Sequence, residues 1–202
     1  MPFCSRYNCL FIHIPRTGGT TIEKILGIHR EWPTLDLDVL HGALVIGEEE
    51  YQLQHLSFLE ASQFITKATG STFAFTFVRN PWDRLISEYF WQGAAGEDFD
   101  TFVERACDIV IYRRELEGRN CHLRPQVEFL SEKISYVGRF EKFATDLRTV
   151  LSALRVVSHD IPHEYKTAHQ HYSKYYSDRS RERVASVYES DIASLKYNFE
   201  PG

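Results

Sequence analysis

Two stretches of this chain share one pattern: an apolar, β-branched run, a break, then a helical pattern. The first is Phe11 to Thr21, FIHIPRTGGTT, and the second is Thr72 to Phe90, TFAFTFVRNPWDRLISEYF. The first break is rich in Gly and Thr and carries one cation, Arg16. The second opens on Arg79 and has Pro81 at a helix start. Such strand-to-helix junctions call for a parallel α/β sheet covered by helices. Ligands on such sheets collect at the carboxyl ends of the strands, where both breaks lie. The two breaks read as two anion cradles, suited to a nucleotide with phosphates at both ends.

The rest of the chain is read around that frame. Asn8 to Ile14 is a buried strand, and Thr20 to Ile28 is a helix with Ile22, Ile25 and Leu26 on one face. Glu31 to Val45 is irregular, with a turn at Trp32-Pro33. Tyr51 to His55 reads as a short strand. Ser57 and Glu60 match a capping box, opening a helix that runs to about Ala68 and stops at Gly70. Thr72 to Val78 is the clearest strand, and Trp82, Leu85, Ile86 and Tyr89 mark an amphipathic helix. Phe99, Phe102, Val103 and Ala106 mark the next helix. Arg113 to His122 is polar, contains Gly118 and reads as a mobile insertion. Pro125 to Leu130 suits one or two helical turns, and Ile134 to Val137 a strand. Phe140, Phe143, Leu147, Val150, Leu151 and Leu154 form a helical stripe. His159 to Tyr175 has a loop composition. Ser177 caps a last helix with Val184, Val187, Tyr188, Ile192 and Leu195 inward.

At 202 residues and 43% hydrophobic, the chain suits one domain over residues 1–202 with a sizeable core. The formal charge of −5 implies no general affinity for polyanions, so nucleic acid is not an expected partner. No apolar run is long enough to span a bilayer. The N-terminus moves directly into a strand with no cleavage-site pattern, so a cytoplasmic location is expected. Cys4, Cys9, Cys107 and Cys121 form no CxxC pair; they read as buried thiols, or as Cys4–Cys9 and Cys107–Cys121 pairs in an oxidising compartment. The nine histidines show no zinc signature and no acidic pair resembles a magnesium site, so no metal is expected.

In the first cradle, Gly18 and Gly19 let backbone N–H groups approach an anion without a Cβ in the way. The helix near Thr20 turns its positive end to the same place. Thr17, Thr20 and Thr21 add hydroxyls, and Arg16 adds a forked cation. A Walker A loop needs Lys directly before Ser or Thr; here the cation precedes the glycines, which weakens a kinase or NTPase reading. In the second cradle, Arg79 projects at a sheet edge, and Ser87, two turns into the helix, can reach back beside it. An Arg and a hydroxyl can share one phosphate.

The pair of segments, PxTGGT and then RNPxxRLxS, resembles the sulfotransferases that use 3′-phosphoadenosine 5′-phosphosulfate (PAPS). The nearest resemblance is to the carbohydrate branch, including the heparan sulfate 2-O- and 6-O-sulfotransferases. It runs from about Phe11 to Tyr197 and includes His55-Leu-Ser-Phe, His122-Leu-Arg-Pro-Gln126, Val137-Gly-Arg-Phe-Glu141 and Tyr175-Tyr-Ser-Asp178. It implies a P-loop-like three-layer fold and transfer of a sulfuryl group from PAPS to a hydroxyl acceptor, a glycan or small molecule, leaving PAP. It implies that the first loop holds the 5′-phosphosulfate and that Arg79 and Ser87 hold the 3′-phosphate. Lys166 and Thr167 fall in the late loop that covers the nucleotide in the family. The family usually has Lys where this chain has Arg16; Lys can donate to the bridging oxygen, whereas Arg is bulkier and keeps its proton.

Sulfuryl transfer rests on positioning and charge stabilisation, with a general base for the acceptor hydroxyl. His55, at the positive end of the helix capped by Ser57, is the expected base, and its position matches a catalytic His of the related glycan enzymes. His41 is the second choice. His122, Arg124 and Gln126 either line the acceptor cleft or start a helix with surface polars. Arg139 either supports the cofactor or pairs with Glu141 or Asp146. Trp82 either stacks on adenine or packs in the core. Glu48, Glu49 and Glu50 read as a solvated run, as do Arg179, Arg181 and Arg183. A non-catalytic nucleotide-binding module stands as a further alternative.

Overall fold

A computed structural model describes residues 2–32, 34–64, 72–93, 96–116, 118, 120–157 and 170–202. Its centre is a four-stranded sheet of β1 (Phe3–Cys4), β2 (Cys9–Ile12), β5 (Phe73–Val78) and β6 (Tyr136–Arg139), in the order β1-β2-β5-β6. β1 is antiparallel to β2, while β2, β5 and β6 are mutually parallel. Phe11 lies opposite Phe75, and Thr76 opposite Val137. The Thr76 hydroxyl donates to the Ile12 carbonyl at 2.7 Å, so even the polar residue of this buried ladder is satisfied.

Period-two alternation distributes these strands between two cores. Cys9, Phe11, Phe75 and Phe77 face α1 (Gly19–Leu26) and α5 (Phe143–Ala153), packing with Ile22, Leu26, Phe143, Leu147 and Val150. Leu10, Ile12, Ala74 and Val78 face the other way, toward Leu53, Leu56, Ala61 of α2 (Phe58–Phe64) and Phe129. A third core joins α3 (Pro81–Trp91), α4 (Phe99–Ile111) and α6 (Asp178–Val187) through Trp82, Ile86, Phe102, Val103 and Val184. The architecture is α/β, with a mostly parallel central sheet and helices on both faces.

Four elements depart from the sequence reading. The irregular stretch runs into a hairpin of β3 (Ala43–Ile46) and β4 (Glu49–Gln52), with Leu44 opposite Tyr51 and Gly47 at φ +67° in the turn. Leu44 and Tyr51 pack against the core, but Val45 and Ile46 are exposed, so the apolar residues of the hairpin do not alternate in the way that announces a strand. Consequently Tyr51 to His55 is not one strand: the ladder ends at Gln52, and a 3-10 turn over Leu53–His55 buries Leu53 and His55. The last helix is two, α6 and α7 (Glu189–Leu195), broken at Tyr188, whose hydroxyl donates to the Leu123 carbonyl at 2.8 Å. The polar insertion is anchored, because Leu116 and Cys121 are buried and a Cβ on Gly118 would collide with the Glu50 carbonyl.

β6 starts two residues later than expected, and the capping box forms: Ser57 Oγ accepts the Glu60 N–H at 3.2 Å, and Glu60 accepts the Ser57 N–H at 2.6 Å. The expected helix stop at Ala68 to Gly70 lies outside the described residues, as do Lys166 and Thr167. All four cysteines are buried free thiols, with Cys4 opposite Cys9 across β1 and β2. Among the described residues no helix is long and apolar enough to cross a membrane.

Candidate active site

The first cradle is a tight turn between β2 and α1. Arg16 and Gly18 both take left-handed backbone, at φ +66° and +88°. A Cβ on Gly18 would sit 2.7 Å from Phe143 Cε2, and one on Gly19 would collide with the His13 imidazole. The turn is therefore closed by packing that only glycine permits. Thr17 is fully buried and its hydroxyl donates to the Ile14 carbonyl at 2.8 Å. It braces the loop from behind, which corrects the expectation that its hydroxyl faces the anion. No side chain caps α1. By contrast, Asn80 caps α3, Asp98 caps α4 and Ser177 caps α6. The positive end of α1 is left open toward the adjoining cavity, as an anion site requires.

The second cradle touches the first. Arg79 follows β5 directly, with its guanidinium 4.0 Å from the Phe140 ring centroid. Its Nε donates to Asp83 at 2.7 Å and its Nη1 to the Arg16 carbonyl at 3.1 Å. Arg16 in turn donates Nε and Nη2 to Ser87 Oγ at 3.1 and 3.0 Å. Ser87 was expected beside Arg79; in the structure its hydroxyl bonds Arg16. Arg84, one turn earlier on α3, pins the surrounding loops by donating to the carbonyls of Pro15, His122 and Arg124.

Both cradles open on a cavity of about 1600 Å³, whose walls include Arg16, Gly18, Gly19, Thr20, Thr21, Arg79 and Ser87. His41, His55 and His122 share those walls. Arg124 and Gln126 do not, which corrects their expected place in an acceptor cleft. Arg124 is committed to Glu60 and Glu128, at 3.0 and 3.1 Å. Gln126 is fully buried: its Oε1 accepts the Arg79 N–H, and its Nε2 donates to the Arg79 carbonyl and to Asp191. It holds Arg79 in place from beneath. Trp82 is core, its indole donating to the Arg181 carbonyl. Arg139 lines the cavity, its guanidinium bonded to the Leu195 carbonyl and lying 4.6 Å from the Tyr197 ring centroid. The three late arginines are paired rather than solvated alone: Arg179 and Arg183 reach Glu104, and Arg181 reaches Asp178.

The histidines form a line. The His55 ring lies 4.6 Å from His13 and 5.0 Å from His122, centroid to centroid, edge-on in both cases. His55 Nδ1 sits 2.9 Å from the His13 carbonyl. A carbonyl only accepts, so Nδ1 carries the proton and Nε2 is the acceptor. Burial, with His13 and His122 on either side, holds its pKa well below the ordinary histidine value. His41, the second choice, is buried with Nδ1 at 2.8 Å from the Thr34 carbonyl.

Carboxylates close both ends of the line, Glu23 at 2.6 Å from His13 Nδ1 and Glu88 at 2.9 Å from His122 Nδ1. Burial opposes the charge of Glu88, yet His122, Gln92 and Arg16 together hold its pKa below the usual carboxylate value. Burial lowers the Arg16 pKa to about 10, which still leaves a cation at neutral pH. His13, Glu23, Glu88 and Trp91 were not picked out from sequence. Their one signal is position: His13 interrupts an apolar strand, and Glu88 follows Ser87 on the buried side of α3. Among the described residues no group of three or more His, Cys, Asp or Glu could hold a metal ion.

Compared with known proteins, residues 2–198 match the model described as the sulfotransferase family. No curated protein and no solved structure matches the chain.

Proposed function

The chain belongs to the sulfotransferase family, and on that premise we propose that it moves a sulfuryl group from PAPS to a carbohydrate hydroxyl with His55 as general base. The family is one of enzymes that use PAPS as donor. When bound, that donor supplies a sulfuryl group already joined to a phosphate leaving group.

The residues present fit such a donor. The uncapped start of α1 and the glycine turn offer backbone donors, and Arg16, Thr20 and Thr21 add charge and hydroxyls on the same wall. These would hold the 5′-phosphosulfate, while Arg79 and Ser87 would hold the 3′-phosphate. Arg16 and the α1 terminus present fixed positive charge to the leaving phosphate. His55 accepts the proton of the acceptor hydroxyl at Nε2, its ring oriented by the bond from Nδ1 to the His13 carbonyl. The carbohydrate branch is favoured by the His55-Leu-Ser-Phe segment, and the exposed faces of Trp32 and Trp91 on the cavity wall suit the apolar faces of sugar rings.

The observation that carries this reading is convergence: Arg79 donates to the Arg16 carbonyl at 3.1 Å, so two anion cradles and an imidazole share one cavity. Calorimetric titration with PAP, AMP and ATP tests it. PAP should bind far more tightly than AMP, because only PAP carries a 3′-phosphate. PAP binding no tighter than AMP would remove the roles of Arg79 and Ser87. Transfer of label from sulfur-labelled PAPS, screened over glycan, phenolic and small alcohol acceptors, then tests the acceptor class; label appearing on phenols and never on glycans would overturn the carbohydrate assignment.

A further inference from the structure

His55 is a well-oriented proton acceptor in a poor place to keep a proton. It is 7% exposed, its Nδ1 is bonded to a carbonyl, and imidazoles flank it on both sides. Each flanking imidazole, unlike His55, has its own buried carboxylate. A proton on either neighbour forms an imidazolium–carboxylate pair, whereas on His55 it is a buried cation beside two rings.

The two neighbours are not equivalent. His13 Nε2 packs against the Gly19 backbone so closely that a Cβ there would overlap the ring. The His13 side chain is 10% exposed, and that nitrogen faces the cradle backbone. His122 instead rests on Trp91, with centroids 4.5 Å apart, and Trp91 is 57% exposed on the cavity wall. The His122 side chain is itself 14% exposed. With Nδ1 committed to Glu88, Nε2 is the proton-accepting nitrogen of that ring. Glu88 is fixed in turn by Gln92 at 2.9 Å and lies 4.0 Å from Arg16.

We propose that His122, oriented by Glu88, is the proton outlet of this site: it takes from His55 the proton removed from the acceptor and passes it to solvent. The proposal rests on the sulfotransferase reading with His55 as base. In the step, the N–H bond at His55 Nε2 breaks and its electron pair stays on His55. A new N–H bond forms at His122 Nε2, and that proton then leaves to water at the cavity mouth. The spacing of 5.0 Å between ring centroids is within reach of direct or one-water transfer. Glu88 acts through His122 and is a positioning residue.

The test follows release of sulfate from labelled PAPS, with water as the acceptor that must lose a proton. His122→Ala should lower kcat about tenfold or more, with KM for PAPS and calorimetric PAP affinity within about twofold of the wild type. Added imidazole buffer should restore kcat in proportion to its concentration, which repair of a merely structural loss would not do. Glu88→Gln gives a readout without turnover: in the free protein, long-range proton–nitrogen spectra should show His122 protonated at Nδ1, and the substitution should mix its tautomers. Unchanged kcat in His122→Ala, or a loss that imidazole leaves unrepaired while PAP still binds, overturns the outlet alone. A wild-type protein that binds no PAP overturns the sulfotransferase site, and the outlet with it.

Discussion

His55 shows how one side chain is set by its surroundings. Its Nδ1 bond to the His13 carbonyl fixes the tautomer, and burial keeps the ring neutral. His55→Ala should therefore lower transfer by about 10² to 10⁴-fold, the usual range for a general base, with PAP affinity nearly unchanged in the same titration. The same burial has a cost in acid. The unfolded chain binds a proton at His55 below about pH 6.5, while the folded protein, with its pKa depressed, does not. Protons thus favour the unfolded state, and this residue lowers stability by on the order of 1 kcal/mol as pH falls from 7.5 to 5.5. His55→Asn, which keeps a donor for the His13 carbonyl, should lose that part of the acid sensitivity in urea denaturation at the two pH values. The choice of His55 was open to sequence reasoning through its spacing from the Ser57 cap. His13 and Glu88 were not, because a histidine in an apolar run and a glutamate on a helix carry no mark of which side chains the fold will set against them.

At the scale of elements, the cradle turn depends on two adjacent glycines with different duties. Gly18 supplies left-handed backbone beside Phe143, and Gly19 makes room for His13. Gly18→Ala should cost about 2 kcal/mol or more, since it combines positive φ with overlap against a core ring. The loss should appear as a lower urea midpoint with little change in slope. Ser57→Ala should cost about 1 kcal/mol by removing one half of the capping box of α2. Elements whose caps and apolar stripes lie within one segment were legible, as at Ser57, Pro81 and Ser177. The β3–β4 hairpin was not, because only Leu44 and Tyr51 of its apolar residues face the core, while Val45 and Ile46 are exposed and blur the alternation. Nor was the break between α6 and α7, which is fixed by a distant partner, the Leu123 carbonyl reached by Tyr188.

Across the whole molecule, one buried chain of bonds ties the second cradle to the last helix. Gln126 joins both backbone groups of Arg79 to Asp191 of α7, and Asp191 also accepts the N–H groups of Gln126 and Val127. Gln126→Ala should cost on the order of 3 kcal/mol, because it strands several buried polar groups at once. It should also weaken PAP binding without touching the ligand, by loosening Arg79; calorimetry and denaturation on one variant would report both. The fold class itself was readable from alternating strands and helices, and both cradles were found where parallel strands end. What the sequence hid is how far the parts travel to meet.

That distance governs the order in which the protein can be made. The β2–β5 ladder includes the bond from Thr76 to Ile12, whose partners stand 64 residues apart. During synthesis the first strand waits unpaired on its inner edge for roughly 3 to 13 seconds while the ribosome adds its neighbour. Until then the glycine turn has no Arg79 to rest against, so donor affinity is acquired only after the second cradle has been made, and not by the first alone.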